Sequence, residues 1–276
     1  MTEIFTRLQN DQRKWALQYK GSTKFTGYQD NLFEELEPDA KNEYAGGDGH
    51  ELKSHMHSVI SSSALCCNFF HYWRYHDPRK LCQALGIHGN VLQVRFEAKP
   101  EKPAGIGGRN PNIDVLITSD NLELTAIECK YTETCEPLSL RSQANMPLAA
   151  AYFTEGISLW KRMPRCHNLA KRLPHLEAGD VSLRYLGAGQ LIKHALGLLN
   201  SYPWKNWRLV YLWYESDPDV DQAHRNEIRR FTAAIGDDFR FESTTYQAIF
   251  SQLCKDPDIK KNEWANYMRQ RYFPEY

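Results

Sequence analysis

The sequence has no apolar run near the ~20 residues that a membrane-spanning helix needs, and no signal-peptide pattern at its N-terminus. It has no Cys-x-x-Cys pair, no internal repeat and no low-complexity tract. Net charge is also missing, with 34 basic residues against 34 acidic ones. These absences argue against a helical membrane anchor and against a paired-cysteine zinc ribbon. They also exclude attraction of polyanions by overall charge, so any basic footprint must be local. The seven cysteines (Cys66, Cys67, Cys82, Cys129, Cys135, Cys166 and Cys254) are odd in number and two are adjacent, which fits no disulfide framework. They are expected to be reduced, mostly small core residues of a cytoplasmic protein.

What is present is ample material for a core. Apolar residues make up 42% and aromatics 12% of 276 residues, enough for one elaborated domain or a domain with an added lobe. The expected division is an N-terminal helical and extended segment (1–50), a core (51–215) and a C-terminal helical extension packed on it (216–276). An amphipathic helix is expected over 2–20, mixed structure over 21–50, and a helix from Glu51 to about Leu65, with a second after Asp77-Pro78 at about 79–86. Alternation then predicts strands at 91–96, 113–118 and 122–131, the last two joined by Ser119-Asp-Asn121. A helix at 188–200, a strand at 207–214, a helix at 221–235, a short strand at 239–241 and a helical tail follow. That order predicts the α/β class with a central mixed sheet.

The hairpin over 112–130 carries the chemistry. Residues two apart on a strand share a face, so Glu128 and Lys130 project together with Leu124 and Ala126, while Ile127 and Cys129 face the other way. With a three-residue turn, Asp114 lies opposite Ala126 and diagonal to Glu128, at ~7–8 Å along the backbone. Charges on a strand with apolar flanks are costly unless they are paired or bind metal. Mg²⁺ takes one or two carboxylates plus waters and phosphate oxygens. Asp114 and Glu128 supply the carboxylates, and the Cys129 carbonyl a neutral oxygen. Lys130 is assigned to orient water or stabilise developing charge, because carboxylates beside it oppose the pKa drop a base needs.

Asp114…Glu128-Cys-Lys130, with Asn112-Ile-Asp114 before it, resembles the PD-(D/E)xK nuclease superfamily. The words Gly47-Asp-Gly-His-Glu51, Ser61-Ser-Ser-Ala-Leu65, Asn68-Phe-Phe, Phe96-Glu97, Ile127-Glu-Cys-Lys-Tyr-Thr-Glu133 and Gln190-Leu-Ile-Lys-His194 resemble a bacterial restriction-endonuclease-like group within it, over about 44–215. The resemblance implies a restriction-endonuclease-like αβββαβ core and Mg²⁺-dependent hydrolysis of DNA, with Mn²⁺ able to substitute. The leading expectation is a restriction-type endonuclease in genome defence, acting as a homodimer because two copies related by two-fold symmetry cut both strands most simply; a neighbouring gene for a partner methyltransferase would favour it. A repair or exonucleolytic nuclease is the alternative enzyme. A silent nucleic-acid-binding module is the non-enzymatic one, disfavoured because Asp114, Glu128 and Lys130 are all retained.

The resemblance further implies a third acid completing the metal shell: Glu51 on the first core helix, with Glu97 as rival. Gln190 and His194, one helical turn apart, resemble a Gln-x-x-x-Tyr helix with histidine replacing the tyrosine, and Gln190 is expected at the metal-bound water or a phosphate oxygen. Nucleic-acid contacts are expected from the basic cluster Lys161, Arg162, Arg165, Lys171 and Arg172, and from Tyr131, Arg141 and Lys193. His55 and His57 read as surface residues, Gly105–Gly108 as a loop, and Trp204, Trp207 and Trp213 as core.

Overall fold

A computed structural model describes residues 2–47, 50–106, 108–136, 148, 150–153, 158–173, 183, 185–204 and 206–276. The chain opens with helices α1 (Glu3–Lys20) and α2 (Pro38–Gly46), then α3 (Ser62–Tyr75) and α4 (Arg79–Ala84). Strands β1 (Val91–Ala98), β2 (Ile113–Ser119) and β3 (Glu123–Lys130) follow. After them come α5 (Pro164–Arg172), α6 (Ala188–Ser201), β4 (Asn206–Trp213), α7 (Pro218–Ile235) and β5 (Arg240–Thr245). The chain closes with α8 (Tyr246–Leu253), α9 (Pro257–Lys261) and α10 (Glu263–Arg271).

The strands form one mixed sheet in the order β1-β2-β3-β4-β5. The first three are antiparallel neighbours, while β4 and β5 run parallel to β3. Helices cover both faces, which is why β3 is buried along nearly its whole length. Val115, Ile117, Ile127, Cys129, Val210 and Leu212 pack against α3, α8 and α10. Leu116, Leu124, Ala126, Leu209, Tyr211 and Trp213 pack against α5, α6 and α7. The expected division of β3 into two faces is what the two apolar clusters show.

Four expectations are corrected. The helix expected over 51–65 begins only at Ser62, because Ser61 caps it by accepting from the Ala64 amide; a serine cap outcompetes the glycine-rich turn as a start signal. Residues 51–61 form tight turns, held by side chains from both ends of the chain. Asn31 Nδ2 donates to the Met56 and Ser58 carbonyls at 2.7 Å, and buried Arg271 donates to the Asn31 carbonyl at 2.8 Å. The stretch read as mixed contains α2, whose Pro38 occupies the first helical turn. The last strand is longer than expected, 240–245.

The hairpin register also differs. Thr118 pairs with Leu124 and Val115 with Ile127. The turn closes by Leu122 N–H donating to the Ser119 carbonyl at 3.1 Å, with Leu122 itself left-handed at φ 64°. The Asn121 side chain accepts from the Glu123 amide at 3.0 Å and starts the return strand two residues later than a three-residue turn would. Extending the register one step sets Asp114 directly across from Glu128 rather than diagonal to it.

Candidate active site

A cleft of about 470 Å³ opens where β3 ends. Its walls include Glu51, Asn112, Asp114, Glu128, Lys130 and Gln190. Asp114 Oδ2 accepts from the Cys129 amide at 2.7 Å, closing the strand pair with a side chain in place of a carbonyl. Glu128 is 1% exposed. Its Oε1 accepts from Lys130 Nζ at 2.5 Å, and Lys130 also donates to Gln190 Oε1 at 3.2 Å. His194 Nε2 stands 2.9 Å from Glu128 Oε2, off the direction of a hydrogen bond. Both atoms therefore lack a hydrogen-bond partner among the described residues. Gln190 and His194, expected on one helix face, thus reach neighbouring side chains of β3, Gln190 at Lys130 and His194 at Glu128.

The carboxylates outnumber the cations. Burial and the neighbouring Glu128 charge push the Asp114 carboxyl well above its usual range. Burial also raises Glu97, to about 7, against the Asn112 hydrogen bond and with the Glu51 and Glu128 charges adding to it. Glu128 goes the other way: against burial, Lys130 and His194 pull it down to about 2. Burial disfavours the Lys130 ammonium, but Glu128, Glu133 and Asp114 outweigh it and hold the lysine protonated. The three carboxylates favour the charged form of Lys130, which suits it to stabilising negative charge rather than to accepting a proton.

Glu51 and Glu97 have different places. Glu51 lines the cleft, in the turn ahead of α3 rather than on it, and both its oxygens are engaged, one by Ser63 Oγ and one by His55 Nδ1 at 3.2 Å. Glu97 stands behind the wall, bonded by Asn112 Nδ2. Its φ of 50° is left-handed, a strained setting for a non-glycine residue. Its carboxylate lies so close to Gly47 that a Cβ there would come within 2.8 Å.

The other expected contacts lie elsewhere. Tyr131 is fully buried against Tyr214 and Tyr272, so it presents no face to a substrate. Lys161, Arg162, Arg165, Lys171 and Arg172 are exposed on and just before α5, and Lys193 is half-buried on α6; none of them lines the cleft. Arg141 lies outside the described residues. Trp213 is core as expected, whereas Trp204 is 95% exposed. The seven cysteines are free. His55, Ser62, Ser63 and Glu133 line the cleft without having been assigned a role. Ser62, Ser63 and Glu133 had membership in the words around the motif as their only sequence signal, and His55 had been read as a surface residue.

Among the described residues no three acid, imidazole or thiolate side chains close around one point, and no helix is long and apolar enough to cross a membrane. Two facing carboxylates beside the cleft-lining Cys129 still suit a hard cation that keeps most of its waters. Burial and the facing Glu128 charge, which together disfavour the Asp114 anion, would both be offset by such a charge.

A mixed sheet flanked by helices, with an acidic hairpin at its centre, defines the restriction-endonuclease-like fold. The family model described as Restriction Endonuclease associating with ARP matches residues 7–273, and the chain belongs to that nuclease family. Neither a curated protein nor a solved structure matches it.

Proposed function

We infer that the chain is a PD-(D/E)xK-type deoxyribonuclease dependent on a divalent cation, Mg²⁺ with Mn²⁺ as substitute. The observation that carries this is the facing pair Asp114 and Glu128 beside the Lys130 ammonium, which donates to Glu128, in an open cleft. Asp114, Glu128 and the Cys129 carbonyl hold the ion. When bound, the ion supplies Lewis-acid polarisation of the phosphate and a bound water of lowered pKa. Lys130, fixed between Glu128 and Gln190, meets the non-bridging oxygens as negative charge builds on them. Gln190 accepts from Lys130 through its carbonyl oxygen, leaving its amide nitrogen to donate to a phosphate oxygen or the attacking water. Glu51, with His55 and Ser63, forms the opposite wall and contributes to the ion's outer hydration.

Membership of a restriction-endonuclease family supports a role in genome defence; a cytoplasmic location and a partner methyltransferase are part of the same proposal. The family's description names an association with ARP, which extends the expected partners beyond DNA. Cutting both strands is most simply done by two copies around a two-fold axis. The direct test is incubation of the purified chain with plasmid and Mg²⁺ or Mn²⁺. Nicked, then linear, product is expected from the wild type and none from Asp114→Asn. Cleavage by that variant equal to wild type would remove the site assignment.

A further inference from the structure

A second cavity, of about 340 Å³, opens between α7 and the C-terminal half of β5. Its walls include Trp213, Gln222, Arg225, Arg229, Ser243 and Thr244. Gln222, Arg225 and Arg229 are spaced three and four apart, so they form one row along α7, and all three are exposed. The two arginines are ~6 Å apart along the helix axis at 1.5 Å per residue, of the order of one nucleotide step on an extended strand. Arg225 lies over the Trp213 ring, 5.2 Å from its centroid, and meets the Glu215 carboxylate. The indole face and the carboxylate hold its guanidinium in place. Arg229 contacts only the neutral Asn226 side chain among the described residues, so the cavity carries a net positive charge.

Its position relates it to the cleft. The parallel register aligns Lys130 with Trp213, and Trp213 with Thr245. The cavity is therefore at the same end of the sheet as Lys130, two strands away, or ~10 Å at the usual strand spacing. It is also on the same face: Trp213 and Ile228, in its wall, belong to the apolar cluster that backs Ala126 and α6. A strand whose phosphate sits at Lys130 has its neighbouring phosphates within reach of this row. The cluster around α5 has a high charge density, but it lines neither cavity.

We propose that the α7–β5 cavity is the phosphate-backbone subsite of this nuclease, with Arg225 and Arg229 each meeting one phosphate of the substrate strand a few nucleotides from the scissile one. The assignment rests on the nuclease function inferred above. Each phosphate neutralised adds ~0.9 to the slope of log K against log salt on duplex DNA.

The test uses the full chain carrying Asp114→Asn, so that a labelled DNA duplex is bound but not cut, and measures affinity by anisotropy across a salt series. Adding Arg225→Gln and Arg229→Gln together should weaken binding about tenfold and lower the slope by about 2. Arg225→Lys with Arg229→Lys keeps the charge and should restore the slope, which a folding defect would not do. With Asp114 intact, the glutamine pair should raise KM and leave kcat within about twofold. Unchanged affinity and slope in the glutamine pair would overturn the proposal and leave the cavity to an acidic protein segment. Wild-type chain that binds the duplex with this salt dependence yet never cuts it would instead sink the nuclease function and leave the subsite standing.

Discussion

Two buried charge clusters sit at opposite ends of the central sheet and on opposite faces of it. At the N-terminal end of β3 and β4, Arg208 is 1% exposed and nearly saturated. It donates to Glu242 Oε2 at 2.5 Å, to Thr125 Oγ1 at 3.1 Å and to the Leu85 carbonyl at 2.7 Å, while Arg240 reaches Glu123 at 3.0 Å. Two arginines face two glutamates. At the C-terminal end, Asp114 and Glu128 stand beside Lys130 and His194, Glu51 and Glu97 add negative charge nearby, and among the described residues both His194 ring nitrogens lack a hydrogen-bond partner. Burying a charge is costly in either place. The first cluster meets the cost internally and reads as structure; the second holds more carboxylates than cations and carries the proposed ion site.

The comparison breaks most sharply on substitution. Asp114→Asn should lower cleavage by at least about 10³-fold, the loss of an ion ligand and its transition-state charge. The same variant should raise the stability of the ion-free protein, because the amide oxygen still accepts from Cys129 while a carboxyl that burial and Glu128 disfavour as an anion is gone. Urea unfolding in EDTA measures this. Arg208→Met should act oppositely, destabilising by about 3 kcal/mol with cleavage per folded molecule unchanged. Similar signs for the two variants would dissolve the distinction between the ends.

Lys130→Ala should cost about 10²-fold in kcat with little change in the Mg²⁺ concentration giving half-maximal rate. A shift mainly in that concentration would make the lysine a support for Glu128 instead. A smaller effect concerns Glu97. Its folded pKa of about 7 stands above the ordinary 4.5, so between those values the unfolded chain releases a proton that the folded one retains. Stability should therefore fall as pH rises from about 4.5 to 7, by on the order of 2 kcal/mol in total. Glu97→Gln should flatten that fall in urea titrations taken across the window. The smallest effect is expected at α5: reversing Arg165 and Lys171 to Glu should change the salt slope of DNA binding by less than the α7 pair does.

Much of this was legible in the sequence, for identifiable reasons. Alternation along 122–131 gave the faces of β3, and two-residue spacing put Glu128 beside Lys130 before any coordinates did. The four-residue spacing of Gln190 and His194 gave their shared face. The register was not legible, because it turned on a left-handed leucine at 122, where a sequence suggests no left-handed residue. Nor was the place of Glu51, since capping by Ser61 moved the helix start past it. Tyr131 looked available beside the motif, yet burial among tyrosines from distant segments removed it. The α7 arginines carried no signal of their own, because only the sheet register brings them to the end of β3.

Thermal unfolding at pH 8, with and without millimolar Mg²⁺, on wild type and Asp114→Asn tests the central claim most directly. The ion should raise the wild-type midpoint by several degrees, at about 2–4 °C per kcal/mol of binding linkage. It should leave the asparagine variant, already higher than wild type without ion, where it stands. An equal rise in both proteins, or a variant that melts below wild type in EDTA, would contradict a cation site built on Asp114 and Glu128.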